Sequence, residues 1–272
     1  MQTSNVFHAP RFGAYFKKHI VDNLRLYLMS LVVLVGVLVA IGVISILTNN
    51  RETVRVSFIY PFYAILLFGA GLIFTGFSFI QLGDKPKGID YLLLPASHFE
   101  KFLTTLLITT VGFLLVYHIA FGTATFIGAG IVSLSRDTHV MDPSMPDDFR
   151  NDMTQLYHWW FMGQAIILLG SVYFPKYSII KTLFVVFIFI LVIGLVNAAF
   201  MNILFYGHLT HWAASAPFFG VGITEHPHVE EYRSIFLESP HWVREALYFM
   251  WRFILPPVLW VLAYFRLKDK EI

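Results

Sequence analysis

The side chains best suited to metal chemistry cluster in one stretch. His208, His211, His226, His228 and His241 fall within 34 positions of each other, beside Glu225, Glu230 and Glu231. His208 and His211 are three apart, so a helix would turn both toward one ion. No H-E-x-x-H is present, and Pro227 separates His226 from His228. The spacing therefore favours interfacial histidines over a catalytic zinc site, with His208, His211, His226 and His228 as the candidates if a metal binds. A second stretch carries Asp137, Asp142, Asp147, Asp148 and Asp152. That spacing is not an EF-hand, and a solvated loop is expected. Cysteine is absent, which excludes disulfides, iron–sulfur clusters, thiolate zinc and a thiol nucleophile. Neither a G-x-x-x-x-G-K-[ST] loop nor a G-x-S-x-G elbow occurs, so ATP hydrolysis by a P-loop and that hydrolase chemistry are excluded as well.

The elements that would position these residues are membrane spans. Of 272 residues, 57% are hydrophobic, 17% aromatic and only 13% charged, against roughly 25% charged in a soluble domain. Such a chain cannot cover a water-facing surface. The net charge of +2, with no dense basic stripe, argues against nucleic acid as a partner. The expected partner is the lipid bilayer. The N-terminus lacks the pattern of a signal peptide, because a long mixed segment precedes an apolar run that is itself too long. A bilayer core of about 30 Å needs roughly 20 apolar residues per helix. Six stretches qualify, near Leu26–Leu47, Phe58–Ile80, Phe102–Val132, Leu156–Phe174, Thr182–Tyr206 and Ala246–Phe265. The expected fold is an all-α integral membrane protein in one domain. Residues 1–25 form an N-terminal interfacial segment, 26–265 a six-span bundle and 266–272 a tail. The third stretch is long enough to tilt, bend near Gly122 or extend past the membrane.

Arg11, Lys17, Lys18, Arg25, Lys85, Lys87, Lys101, Lys176, Lys181, Arg266, Lys268 and Lys270 fall on one side, which is 12 of the 19 cations. Arg51, Arg55, Arg136, Arg150, Arg233 and Arg244 fall on the other, and Arg252 lies within a span. The positive-inside rule then predicts both termini in the cytoplasm of a multi-pass protein of the cytoplasmic (inner) membrane. Phe12, Phe16, Ile20 and Leu24 recur every four residues opposite Arg11, Lys18, Asp22 and Arg25, which predicts a helix lying along the headgroups. Trp212–Gly222, apolar and rich in small residues, predicts a short re-entrant or interfacial helix. Within the spans, His118, Asn197, Asn202 and Arg252 are the polar candidates. His118 is read as a bundle hydrogen bond in preference to a proton relay. Arg252 is read as snorkelling beside Tyr248 and Trp251. No span holds an Asp or Glu in its interior, which weighs against ion-driven transport.

The loop Gln81–Lys101 is the most informative. Gly83–Gly88 reads as a breaker cluster. Ile89–Leu94 is an apolar run too short to span, and Pro95 ends it. Ser97 and Glu100 have capping-box spacing at the start of the third span. This predicts a short helix parallel to the membrane on the cytoplasmic side, then a sharp turn.

Together these parts resemble the membrane subunit of type-2 ABC transporters, the permease superfamily of many bacterial exporters. Tyr91-Leu92-Leu93-Leu94-Pro95-Ala96-Ser97-His98-Phe99-Glu100-Lys101 is similar to that family's segment after span two. Tyr264–Glu271 is similar to its closing segment. The resemblance implies an N-terminal interfacial helix, six spans and a coupling helix between spans two and three. It further implies a homo- or heterodimer of permeases and a separate ABC-type ATPase subunit. Lys87, Asp90, Leu93, Pro95, Ser97, Glu100 and Lys101 would then be the ATPase-coupling residues. ATP and magnesium would sit on the partner, with no cofactor on this chain and no catalytic residue in it. The substrate is left open, hydrophobic or amphipathic by the aromatic content. The rival expectations are a permease-like accessory, sensory or assembly membrane protein, and a membrane-embedded metal-dependent enzyme. The topology is checked by cysteine labelling, which this cysteine-free chain makes clean: cysteine at Ser4 or Lys270 resists an impermeant thiol reagent in intact cells, and cysteine at Ser144 or Ser234 labels.

Overall fold

The structure, a computed structural model, describes residues 6–48, 60–135, 147–205, 215–216, 220–224 and 234–270. By packing, the chain falls into two units. One comprises Met1–Ile179 with Val258–Ile272, and the other Ile180–Pro257.

The first unit is a helical bundle. Helix α1 runs unbroken over Ala9–Thr48. At 1.5 Å per residue it is about 60 Å long, twice a bilayer core. The expected boundary between an interfacial segment and a span at Arg25 is thus not marked by a break. Between Gly13 and Gly36 the chain has no glycine or proline to make one. Local bonds reinforce the helix there. Asn23 donates back to the His19 carbonyl at 2.8 Å, and Lys18 pairs with Asp22 at 3.4 Å.

Helix α2 (Tyr60–Gly76) is followed by a tight 3-10 turn over Ile80–Gly83, short helix α3 (Lys85–Leu93), and then α4 (His98–Leu107). A π-helical turn, Ile108–Gly112, joins α4 to α5 (Phe113–Ser135). The irregularity in this long element is that turn; Gly122, where a bend was expected, lies inside regular α5. Thr109 and Thr110 bond back to carbonyls of the preceding turn at 2.9 and 2.5 Å. Such back-bonding loosens a helix locally. Helix α6 (Asp147–Tyr173) extends beyond the expected fourth span by nine residues at its N-terminal end, where Asp147, Asp148, Arg150 and Asp152 lie.

In the second unit, α7 (Ser178–Leu204) begins at the boundary and is apolar along its length, with Ser178 and Thr182 buried and most of the side chains after them exposed. An all-round apolar helix that is not buried has lipid as its solvent. The stretch expected to hold a re-entrant helix contributes strands instead. Strands β1 (Ser215–Ala216), β2 (Gly220–Thr224) and β3 (Ser234–Glu238) form an antiparallel sheet with Ile223 opposite Ile235. Val221 and Ile223 are β-branched and alternate with glycine, a period of two that suits a strand. Helix α8 (His241–Phe249), a π turn (Met250–Ile254) and α9 (Leu255–Lys268) are continuous, and α9 carries the chain back to the first unit. The widened turn comes just before Pro256 and Pro257, whose rings would otherwise meet the carbonyls of Arg252 and Phe253.

Among the described residues, four helical stretches are long and apolar enough to cross a membrane: Ala9–Ile44, His98–Gly128, Ser178–Leu204 and His241–Lys268. They mark the chain as a membrane protein. Phe62–Gly76 is apolar but shorter.

Two clusters form the core of the first unit. At one end Phe79, Leu82, Tyr91, Phe102, Leu168 and Leu267 close around each other. At the other, Tyr63, Leu67, Tyr117 and Trp160 do the same. A polar thread runs through the interior, where Trp260 donates to Gln164 at 2.9 Å and Gln164 donates to Thr109 at 3.1 Å. Gly71 permits a close approach of α2 to this interior. A Cβ there would stand 2.6 Å from Trp160 Nε1 and 2.8 Å from the Phe113 ring. These rings are stacked, 5.7 Å apart and 8° from parallel, so neither can yield easily. Gly69, two residues earlier, has nothing within 4 Å. Gly71→Ala is therefore expected to destabilise the protein by about 1–3 kcal/mol through overpacking. Gly69→Ala should be neutral or slightly stabilising, and thermal unfolding in detergent distinguishes the two.

Candidate functional site

The candidate site is the elbow formed by α3, the turn Leu94–Ser97 and the start of α4. The predicted breaker is shorter than expected: α3 already begins at Lys85, with Pro86 in its first turn, where a missing N–H costs nothing. Gly88 N–H donates to the Asp84 carbonyl at 2.8 Å. The helix stops where it should, because Leu94 is extended before Pro95.

The apolar run divides by helical period. Tyr91 turns inward and is buried, stacking edge-on against Phe79. Burial pushes its phenol well above the usual range, so it stays neutral. Ile89 and Leu93 turn outward, Leu93 with 75% of its surface exposed. Lys87 and Asp90 are exposed beside them, and Lys87 lies 3.9 Å from Asp84.

The turn is locked by the capping box that the S-x-x-E spacing predicts. Ser97 Oγ accepts from the Glu100 N–H at 3.1 Å, and the Glu100 carboxylate accepts from the Ser97 N–H at 2.9 Å. Sequence reasoning did not find the other half of this lock. Glu100 is fully buried, and its carboxylate also accepts from the His8 N–H at 2.8 Å, Arg11 Nε at 2.7 Å and Arg11 Nη2 at 3.0 Å. Ser97 Oγ donates to the Val6 carbonyl at 2.5 Å. The segment Val6–Arg11 is thus strapped across the elbow. The only signal was that Arg11 lay on a charged helical face, which named no partner 89 residues away. Lys101, grouped with the coupling residues by resemblance, is 1% exposed. Its Nζ donates to the Tyr91 carbonyl at 2.9 Å and sits 5.4 Å from that ring's centroid. It holds α3 down from beneath and offers nothing to a partner.

The structure brings Leu93, Pro95, Ser97, Glu100 and Lys101 together as one rigid corner, with Lys87 and Asp90 on its open helical face. At the far side of the same corner, Gly83 packs on the turn Pro175–Lys176, and Lys270 Nζ donates to the Val172 carbonyl at 2.9 Å in the last turn of α6.

His208, His211, His226 and His228 lie outside the described residues. His241 faces Glu245 at 3.6 Å, and among the described residues no group of three His, Asp or Glu is placed to hold a metal. Arg252 stands 5.3 Å over the Tyr248 ring, the expected arrangement, and Asn202 bonds back to the Ala198 carbonyl at 2.9 Å. His118 does make bundle hydrogen bonds. Its Nδ1 is 2.6 Å from the Leu114 carbonyl, and its Nε2 is 3.0 Å from Tyr63 Oη and 2.7 Å from Tyr157 Oη. No family model, curated protein or solved structure matches this chain.

The strap predicts non-additivity. Arg11→Ala and Glu100→Gln each break the same contact, so each lowers the thermal midpoint, and the double variant falls no further than the worse single variant. Limited trypsin digestion at Lys17 and Lys18 should accelerate equally in all three. Additive losses would show that the two residues act separately.

Proposed function

We propose that this chain is the permease subunit of an ATP-driven exporter of the type-2 ABC class. In this reading it is a six-span bundle of the inner membrane with both termini in the cytoplasm. It pairs with a second permease and with a separate ATPase that carries ATP and magnesium, and it moves a hydrophobic or amphipathic substrate. The observation that carries the reading is the elbow. A transporter driven from outside the membrane needs a cytoplasmic element that is apolar toward its partner and stiff toward its span. Helix α3 offers Ile89 and Leu93 outward. Tyr91 is buried in the core, and Lys101 holds its carbonyl. Pro95 and the Ser97–Glu100 box make the link to α4 short and closed by two reciprocal hydrogen bonds. Displacing α3 therefore displaces α4 with little slack between them. Pairing with a second copy has support in Gly36, where an added Cβ would meet no other described element of its own chain within 4 Å. Small residues at such places allow close helix approach in lipid.

The test is co-purification of the ATPase encoded beside this chain, at matched expression. Leu93→Asp should insert normally, bind much less ATPase and lose substrate-stimulated hydrolysis, because it puts a charge on the apolar contact. Equal recovery of ATPase and equal activity with wild type and Leu93→Asp would remove α3 as the coupling element. Recovery of no ATPase with either would favour an accessory membrane protein.

A further inference from the structure

We propose that Tyr63, His118 and Tyr157 form a three-ligand site for a hard trivalent metal ion, with ferric iron as the test case. The three residues come from α2, α5 and α6 and converge on one point. Tyr63 Oη to His118 Nε2 is 3.0 Å, Tyr63 Oη to Tyr157 Oη is 2.8 Å, and His118 Nε2 to Tyr157 Oη is 2.7 Å. One face of an octahedron with bonds of about 2.0 Å has edges of about 2.8 Å, the bond length times the square root of two. The three donor atoms already stand on such a face.

The protons point the same way. The Leu114 carbonyl can only accept, so His118 Nδ1, 2.6 Å from it, carries the ring proton. His118 Nε2 is then a bare lone pair aimed at the two phenols. A neutral cluster has two phenolic protons for three short edges, so one edge has no proton of its own. A cation at the centre serves all three edges at once. The Nδ1–H bond to a backbone carbonyl is the outer-shell support that orients ligating histidines in general. Tyr63 is held in the same way, since Tyr117 Oη donates to the Tyr63 carbonyl at 2.7 Å and Tyr117 and Phe121 pack edge-on against its ring.

The donor set selects the ion. Two phenol oxygens and one imidazole are hard-to-borderline ligands, and no thiolate is present to favour a soft metal. On binding, each phenol releases one proton to solvent and forms a metal–oxygen bond, and Nε2 adds its lone pair without losing a proton. The ion keeps its oxidation state. Three charges meet two phenolates, so one positive charge remains, and the three positions opposite the ligand face are left for water or hydroxide. The His118 side chain is exposed, so the site is open to the outside of the described helices. The proposal is independent of the transport reading and of the loop histidines.

The experiment is titration of the full-length, metal-free protein in detergent with ferric nitrilotriacetate. Wild type should develop a visible phenolate-to-iron charge-transfer band that saturates at one iron per chain. Retention should strengthen as pH rises, because binding releases protons. Tyr157→Phe removes one oxygen and keeps the ring, so it should elute as wild type does and lose the band. Its iron affinity should fall by at least the roughly 10–100-fold that loss of an outer-shell partner costs. His118→Ala should do the same. Tyr264→Phe, which packs on the other core cluster and takes no part in the triangle or its support, should keep the band. Absence of the band at every ferric concentration overturns the site. Iron held equally by wild type and Tyr157→Phe means an adventitious ion only, and also overturns it. If His118→Ala does not fold, Tyr63→Phe and Tyr157→Phe decide the question.

Discussion

Glu100 is a carboxylate with no exposed surface. Burying an ion without compensation costs several kcal/mol. This one is compensated from four directions: the Ser97 and His8 backbone N–H groups and two nitrogens of one guanidinium. Those donors belong to two remote stretches of chain, the entry to α1 and the entry to α4. The charge can be buried only if both stretches are in place, so its satisfaction fixes the direction in which each helix leaves the corner. Arg11 remains 36% exposed, which lets the pair form without burying the cation as deeply. Lys101, one residue on, answers a different need. It is turned under α3, where the Tyr91 carbonyl and ring receive it. Adjacent residues of opposite charge thus anchor two different elements.

Away from that corner the bundle obeys the rules of a chain dissolved in lipid. Apolar side chains line α1, α5, α7 and α9 on exposed faces, and in lipid the hydrophobic effect does not penalise them there. What the interior must do instead is satisfy polar groups. Thr105 of α4 bonds back to the Lys101 carbonyl and Thr109 of the π turn to the Thr105 carbonyl, and Gln164 is placed between Thr109 and Trp260 with donor and acceptor both used. Both π-helical turns belong to the same logic. One lies beside back-bonding threonines, and the other relieves two consecutive prolines.

The first unit therefore has two polar ends of different character. The Glu100 end is charged, saturated with donors and mechanically stiff, which suits a place where force is received. The Tyr63–His118–Tyr157 end is neutral and short of one proton, which suits a place where a cation is accepted. The first is assembled from two segments distant in sequence and the second from three, and the aromatic core, with Phe113 stacked on Trp160, holds the helices that carry the second.

Local chemistry was readable from the residues alone. Composition settled the membrane class, because 13% charge cannot solvate a surface. The Ser97–Glu100 spacing predicted a capping box, and Pro95 predicted the stop before it; both signals act within four residues. The short helix before them was legible as an apolar run, although its start at Lys85 was hidden by Pro86 and Gly88, which are tolerated in a first turn and a small helix. The stretch Trp212–Gly222 misled because small apolar residues suit a helix or a strand equally, and the pairing of β2 with β3 decides between them. The strap from Arg11 to Glu100 and the convergence of Tyr63, His118 and Tyr157 were beyond sequence reasoning. Each depends on which faces of separate helices meet, and a helical period says only that a face exists. Meeting is decided by packing, at Gly71 against Trp160 and at Tyr91 in the core. Thus the sequence by itself determined the solvent, the caps and the stops, which are properties of neighbouring residues. Only the tertiary structure decided the partners of the buried charge and the phenol–imidazole triangle, since those distances close only once the helices are packed.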